Sequence, residues 1–351
     1  MSGHAQAEWL AEFLRRFAAP PQLLVALRNA RRPLIACHED PDPDCIGSML
    51  ALGQGLARLG ARPCLVSTDP LPWALSQLPG ADRILSPERL AEAAAEGVGA
   101  WDTAIVLDCE PARTGKAWPF IQLAPVLVNV DHHETNRSGP GIRWVEPGAA
   151  ATGELVFALL HSLSVELDAS MASNLFAALQ GDTGSFQFEN TSAHTLRIAA
   201  HLVERGASPG ELSRVLYENR EFSYVQLLGE VIRTLQRNSD GRIAWVYLTR
   251  EMIARSGLPA SEVEGFVRYP RMIRGVEVAL LFRESEDGRI RVSLRSRGRV
   301  NVAELASRLG GGGHTRASGC TLEGDLQTAM TRVLAETERA VAQALARDID
   351  R

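Results

Sequence analysis

Val126-Leu127-Val128-Asn129-Val130-Asp131-His132-His133 decides the reading of this chain. Its first five residues include three valines and a leucine, with no polar alternation. Such a short, β-branched apolar run is the pattern of a parallel strand covered on both faces. Asp-His-His then falls at the strand's carboxyl end. The same arrangement recurs elsewhere. Leu34-Ile35-Ala36-Cys37 runs into His38-Glu39-Asp40-Pro41-Asp42-Pro43-Asp44, and Ile105-Val106-Leu107 runs into Asp108. Downstream, the apolar stretch Met171–Gln180 leads into Gly181-Asp182-Thr183-Gly184-Ser185-Phe186. Open α/β sheets bind ligands beyond the carboxyl ends of their strands. Acids and imidazoles delivered there predict a site for two divalent metals.

From about Arg32 to His201 the pattern alternates strand and helix. Leu34–Cys37, Arg62–Ser67, Thr103–Asp108 and Val126–Val130 are expected strands. Ile46–Leu59, Glu88–Glu96, Gly153–Leu163 and Met171–Gln180 are expected helices. This alternation predicts an α/β domain with a largely parallel sheet flanked by helices. Gly206-Ala207-Ser208-Pro209-Gly210 is a loop signal, and Glu211–Leu216 and Tyr224–Gln236 read as helical. The second half changes character. Arg242–Thr249 alternates like a strand, and Val276–Arg283 and Arg289–Leu294 flank the turn Glu286-Asp287-Gly288. Asn301–Leu309 reads as a helix ending in Gly310 to Gly313. The last helix carries apolar Leu326, Met330, Val333, Leu334, Val341 and Leu345 at helical period. The expected organisation is a helical extension over 1–30, an α/β domain over 31–205, a helical linker over 206–238 and a smaller mixed α+β domain over 239–351.

Composition sets bounds. The 351 residues are 45% hydrophobic and 23% charged, with net charge −5. No general basic surface for long nucleic acid is implied, while a local basic site for a small anion remains open. Five cysteines (Cys37, Cys45, Cys64, Cys109, Cys320) form no C-x-x-C pair. An odd, scattered set suggests a reducing compartment and a cytoplasmic protein. Cys37, Cys45 and Cys109 fall beside the acidic clusters and read as small core residues. The N-terminus does not read as a signal peptide, because Glu8 and Glu12 interrupt its apolar stretch. No run approaches the roughly 18 apolar residues of a membrane helix. Glu8–Phe17 reads as an amphipathic helix that packs on the first domain or on a second subunit of a homodimer.

Pro41 and Pro43 have fixed φ and push Asp40 and Asp42 away from helix. The expectation is an extended segment with Asp42 and Asp44 on the same side. Two such carboxylates repel unless a cation lies between them or one is protonated. Asp108 supplies a carboxylate able to bridge two metals, and His132 and Asp182 complete the set. Mixed oxygen and imidazole donors suit Mn²⁺, with Mg²⁺, Co²⁺ and Zn²⁺ as alternatives. Two ions about 3.5–4 Å apart would generate a hydroxide and clamp a phosphoryl group. Each piece alone is ordinary. An Asp after a strand is commonly a cap, Pro-Asp-Pro-Asp a surface loop, and a lone His a hydrogen-bonded structural residue. It is the four together, in order, that point to metal chemistry.

In that order, His38-x-x-Pro41-Asp42-x-Asp44, Asp108, Asp131-His132-His133 and Gly181-Asp182-Thr183-Gly184-Ser185 resemble the four motifs of the DHH phosphoesterase superfamily. The leading His38 is similar to the NrnA-like branch of nanoRNases and pAp phosphatases. Ser293-Leu294-Arg295-Ser296, Asn301-Val302 and Gly311-Gly312-Gly313-His314 resemble its DHH-associated substrate domain of type one. The resemblance implies that His38, Asp42 and Asp108 bind one metal, and that Asp44, Asp108, His132 and Asp182 bind the other. It implies that Asp131 orients an imidazole and that His133 assists the leaving oxygen. Cys45 stands where the family usually has a small Ala-like residue, and Gln187 where relatives often carry a basic one.

In the second domain the resemblance implies substrate contacts from Arg295, Ser296, Asn301, Gly311, Gly312, Gly313 and His314. Glycines allow close backbone approach to a phosphate, and an arginine binds one through two parallel hydrogen bonds. Arg291, Arg297, Arg299 and Arg316 add charge nearby, and Arg291 and Arg299 read equally well as a solvated face. His4, His161, His194 and His201 read as structural or surface residues. The implied activity is hydrolysis of very short RNA, about two to four nucleotides, to 5′-mononucleotides, together with removal of the 3′-phosphate of pAp. The alternatives are a soluble phosphodiesterase for cyclic di-AMP or pApA, and a RecJ-like single-strand exonuclease.

Overall fold

The computed structural model describes residues 3–95, 100–259, 262–313 and 315–349. It divides into two compact units, Met1–Asn219 and Arg220–Arg351. The expected linker 206–238 is therefore shared between them, its first part belonging to one unit and its last helix to the other.

The first unit is built on a six-stranded, wholly parallel sheet of order β3-β2-β1-β4-β5-β6. The strands are β1 Pro33–Ala36, β2 Cys64–Val66, β3 Ile84–Leu85, β4 Thr103–Leu107, β5 Val126–Asp131 and β6 Ile142–Val145. β1 and β4 are buried along their whole length, as parallel strands between helical layers are. The strand order reverses between β1 and β4, the position where such sheets open a crevice. The longer helices are α1 Gly3–Arg16, α2 Pro21–Asn29, α3 Pro43–Arg58, α4 Pro87–Ala95, α5 Thr152–Ser162, α6 Ala169–Asp182 and α7 Ala193–Glu204. The N-terminal helices pack on their own unit. Trp9, Phe13, Phe17, Leu23 and Leu27 are buried in its core, and the Trp9 and Phe13 rings meet Phe157 of α5 at centroid distances of 6.5 and 5.9 Å.

The expectation of an extended segment through Asp44 is corrected. Asp42 is extended, but it is the N-cap of α3, and Asp44 lies in the first helical turn. Pro43 at the first helical position explains the difference. Its missing N–H is one that a helix start leaves unused, and its fixed φ already suits the helix. In this unit two edge strands, β3 and β6, had no counterpart among the expected elements.

The second unit contains a mixed six-stranded sheet of order β11-β12-β10-β9-β8-β7. Its strands are β7 Gln236–Arg237, β8 Ile243–Leu248, β9 Val278–Glu284, β10 Ile290–Ser296, β11 Gly312–Gly313 and β12 Ala317–Leu322. β8 and β9 are parallel and the other pairs antiparallel. The β9–β10 hairpin turns at Gly288, whose φ of +80° favours glycine. The helices are α8 Phe222–Arg233, α9 Arg250–Ser256, α10 Val302–Arg308 and α11 Leu326–Ile349. Two clusters form the core, one on each face of the sheet. Phe282, Leu294, Leu305 and Val333 belong to one, and Val246, Phe266 and Leu281 to the other. Among the described residues no helix is long and apolar enough to cross a membrane.

Candidate metal centre

The loops after β1, β4 and β5 and the end of α6 bring the predicted acids and imidazoles of the first unit together. His38 Nδ1 lies 2.6 Å from the carbonyl of Glu39, and His132 Nδ1 lies 3.2 Å from the carbonyl of Ala149. A carbonyl only accepts, so each Nδ1 carries the proton and each Nε2 is turned toward the carboxylates. His38 Nε2 is 3.8 Å from Asp42 Oδ2 and 3.4 Å from Asp108 Oδ2. His132 Nε2 is 3.7 Å from Asp44 Oδ2, 3.4 Å from Asp108 Oδ1 and 3.0 Å from Asp182 Oδ2. Asp108 thus presents one oxygen to each imidazole. Its Oδ1 also accepts from Thr152 Oγ1 at 2.9 Å. Asp44 is held in place by Thr152 N at 2.6 Å, Gly153 N at 2.9 Å and Ser48 Oγ at 3.2 Å.

The electrostatics of the cluster match its geometry. Burial, and then the charges of Asp108 and Asp182, push Asp42 up to about 6, against the pull of His38. The same causes push Asp44 well above the ordinary carboxylate range. Burial also works against Asp108, but hydrogen bonds with His132 and His38 outweigh it and hold this acid well below the usual range. His132 is raised well above an ordinary imidazole, its burial overcome by Asp108 and Asp182. Carboxylates this close ionise together only around positive charge. The donors fit hard or borderline divalent cations.

Cys45, read from sequence as a core residue, is fully buried. Its Sγ also accepts the Asp42 N–H at 3.3 Å and shares a donor cluster with His38 and Asp42. Asp131 stands behind these side chains. Its Oδ1 accepts from His133 Nδ1 at 2.7 Å and from the backbone N–H groups of His132 and His133 at 2.7 and 3.1 Å. Two residues the sequence reading missed join it. Asn136 donates to Asp131, and Arg143 of β6 donates to Asn136. The backbone is strained here. Asp40, Asp108, Ser185 and Phe186, four of the five described non-glycine residues with positive φ (55–64°), lie in the loops of this site.

In the second unit the predicted contacts divide. Arg295 is the penultimate residue of β10 and is half-buried, with Nη1 donating to the carbonyl of Leu294 at 3.0 Å. Arg297 Nη2 donates to the carbonyl of Arg271 at 3.1 Å. Burial, followed by the charges of Arg295, Arg297 and Arg316, pushes Arg271 below the usual guanidinium range. Four arginines therefore crowd one region, and Arg271 reaches it from a single helical turn far upstream. Gly298, with φ +114°, makes room. A Cβ there would stand 2.8 Å from Arg316 Nη2.

Ser296 and Asn301 have local tasks. Ser296 Oγ accepts the Gly298 N–H at 2.9 Å. Asn301 is the N-cap of α10, accepting from the N–H groups of Ala303 and Glu304 at 3.0 and 3.3 Å. Gly312 and Gly313 form β11 against β12, and a Cβ on Gly311 would collide with the carbonyl of Gly319. Gly311 and Gly313 are needed for close approach to the protein's own backbone, whereas a Cβ on Gly312 would meet nothing within 4 Å. His314 lies outside the described residues.

Residues 32–179 match the family model "DHH family, N-terminal domain" and residues 241–343 match "DHHA1 domain". The chain is 35% identical over 313 residues to the bifunctional oligoribonuclease and PAP phosphatase NrnA of Thermus thermophilus, covering 88% of this chain and 90% of that one. It is 28% identical to the protein of the same name from Bacillus subtilis, covering 81% and 87%. Among solved structures, an exopolyphosphatase-related protein from Bacteroides fragilis superposes with TM-score 0.81 at 25% identity, covering 92% and 95%.

Proposed function

The chain belongs to the DHH family, its N-terminal DHH domain followed by a DHHA1 domain, and we propose that it is a metal-dependent phosphoesterase that hydrolyses very short RNA to 5′-mononucleotides and converts pAp to AMP. The observation that carries this reading is Asp108, whose two oxygens face two separate imidazole–carboxylate sets. His38, Asp42 and Asp108 would hold one divalent ion. Asp44, Asp108, His132 and Asp182 would hold the other, with Mn²⁺ the best match to these donors. Such a pair supplies a hydroxide near neutral pH and neutralises charge on a phosphoryl group.

The chain's own groups do the rest. The acids fix the spacing of the centre, and the two Nδ1–H bonds aim the imidazoles. His133, held at Nδ1 by Asp131, presents Nε2 to protonate the leaving oxygen. The two substrates then become one. In pAp and in a 5′-phosphorylated dinucleotide, hydrolysis breaks the bond between phosphorus and O3′ of a nucleotide that carries a 5′-phosphate. Water's oxygen goes to phosphorus and a proton to O3′, leaving a 5′-mononucleotide in both cases. The shared 5′-phosphate is the group that Arg295 and its neighbouring arginines suit, through charge-assisted bonds.

Product analysis by mass spectrometry tests the reading. The protein with Mn²⁺ would be offered pAp, pApA, longer RNA and cyclic di-AMP in parallel. AMP from pAp and from pApA is expected, with little from the longer strands. Hydrolysis of cyclic di-AMP alone, or full activity after exhaustive chelation, would overturn it.

A further inference from the structure

We propose that Asn136 and Arg143 are positioning residues for His133, acting through Asp131 to decide which nitrogen of that ring exchanges a proton with the leaving oxygen. The inference rests on the reading of His133 as the proton donor.

The argument follows the direction of each hydrogen bond. Arg143 Nη2 donates to Asn136 Oδ1 at 2.6 Å and to the Asn136 carbonyl at 2.8 Å. A guanidinium has no acceptor, so the Asn136 atom it meets must be oxygen, and the amide has one orientation. The amide nitrogen then points the other way. It donates to Asn129 Oδ1 at 2.8 Å and to Asp131 Oδ2 at 2.7 Å. Asn129 is fixed by the same logic, because its nitrogen donates to the carbonyls of Val106 and Cys109 at 3.2 and 2.8 Å.

Asp131 therefore receives donors on both oxygens. Asn136 occupies Oδ2, and two backbone N–H groups with His133 Nδ1 occupy Oδ1. An ionised carboxylate only accepts, so Nδ1 of His133 carries a proton, and on the proposed function Nε2 is the nitrogen that meets the leaving oxygen. Asn129, Asp131 and Asn136 are at most 3% exposed, so water does not readily replace a lost partner. Without Asn136, Asp131 keeps its grip on the backbone at Oδ1 but has an unheld oxygen, and the imidazole loses its fixed seat. Arg143 lies on the edge strand β6 and locks the network from the sheet's rim.

The test compares two esters that differ in how much they need a proton. Departure of O3′ from pAp needs one, and departure of 4-nitrophenolate from bis-p-nitrophenyl phosphate does not. Asn136→Ala, Arg143→Ala and Arg143→Lys would be made in the full chain and assayed with Mn²⁺. On pAp, kcat should fall roughly 10- to 100-fold for Asn136→Ala, the range for partners that orient a ligand or acid. KM and bound Mn²⁺ should stay within about twofold, and turnover of the aryl ester should hardly change. Arg143→Ala should show the same pattern more weakly, and Arg143→Lys should recover part of the loss, since an ammonium can still donate to Asn136 Oδ1 but lacks the planar fork that also meets the carbonyls of Asn136 and Arg137.

Equal losses on both esters, or an Arg143→Lys no better than Arg143→Ala, would reduce these residues to packing and overturn the inference. If Asn136→Ala fails to fold, the two Arg143 variants decide, because that side chain sits at a sheet edge. A wild type inactive on both esters would instead defeat the functional reading, and this inference with it.

Discussion

The two units build binding sites from opposite charge. In the first, Asp42, Asp44, Asp108 and Asp182 crowd around two imidazoles, and burial with mutual repulsion pushes Asp42 and Asp44 up. In the second, Arg271, Arg295, Arg297 and Arg316 crowd together, and the same two causes push Arg271 down. Each site is a concentration of like charge that the fold tolerates and a counter-charged ligand relieves. Under the proposed function that ligand is a divalent cation for the acids and a phosphate for the arginines. The difference teaches a division of labour. Changes in the acidic site should fall on kcat and metal content, and changes in the basic site on KM.

Asp108→Ala is the most severe way to break the comparison. It removes the carboxylate that faces both imidazoles, so turnover on pAp should fall by well over 100-fold, beyond the loss typical of groups that only orient a ligand. Metal content by mass spectrometry should fall with it, while circular dichroism stays native. Wild-type turnover with full metal content would end the bridging assignment.

Arg295→Ala should act on the other side of the comparison. A charge-assisted hydrogen bond contributes roughly 1.5–3 kcal/mol, so kcat/KM for pAp should drop about 10- to 100-fold. The loss should appear mainly in KM, with bound Mn²⁺ and hydrolysis of bis-p-nitrophenyl phosphate preserved. That profile separates Arg295→Ala from Asn136→Ala, whose loss is expected in kcat. A pure kcat effect would show that Arg295 is not an anchor.

Gly298→Ala is a gentler probe of the same region. The new Cβ must displace the Arg316 guanidinium, and the backbone is held at φ +114°. KM for pAp should rise several-fold and Tm should fall slightly, in keeping with roughly 1–3 kcal/mol of local strain. Unchanged KM would place Arg316 outside the substrate region.

The smallest effect is a fraction of a proton. Asp42 has its pKa raised to about 6 in the metal-free protein, so part of it is protonated at pH 6 and very little at pH 8. Metal binding needs the anion. Asp42 adds this share to the protons that Asp44 and His132, also raised, must give up, so Mn²⁺ binding should release more protons at pH 6 than at pH 8, and affinity should weaken as pH falls. Calorimetry in two buffers of different ionisation heat reads this directly. Identical proton release at both pH values would contradict it.

How much of this was legible in the sequence depended on how local each signal was. The strands that carry the site announced themselves as apolar runs closed by acids, and the DHH pattern followed from their order. The start of α3 was misread because a proline between two aspartates is as much a turn signal as a first helical residue. β3 and β6 were invisible: one has two residues, and the other, Ile142-Arg143-Trp144-Val145, is half-covered and follows Gly139-Pro140-Gly141. Asn136 and Arg143 escaped because their link to Asp131 obeys no helical or strand period. Ser296 and Asn301 illustrate the reverse: motif residues whose polar atoms the local turn and helix already use. Arg271 could not be found at all from sequence, since nothing at position 271 signals proximity to 295 and 316.

The left-handed residues of the metal centre have an evolutionary consequence. Asp108, Ser185 and Phe186 hold conformations that glycine adopts freely and that cost other residues roughly 1–3 kcal/mol each. A library sorted only for survival of heating would drift toward glycine at all three positions. At 108 that drift would discard the carboxylate that faces both His38 and His132. Heat resistance and turnover would therefore select opposite residues at the same backbone position.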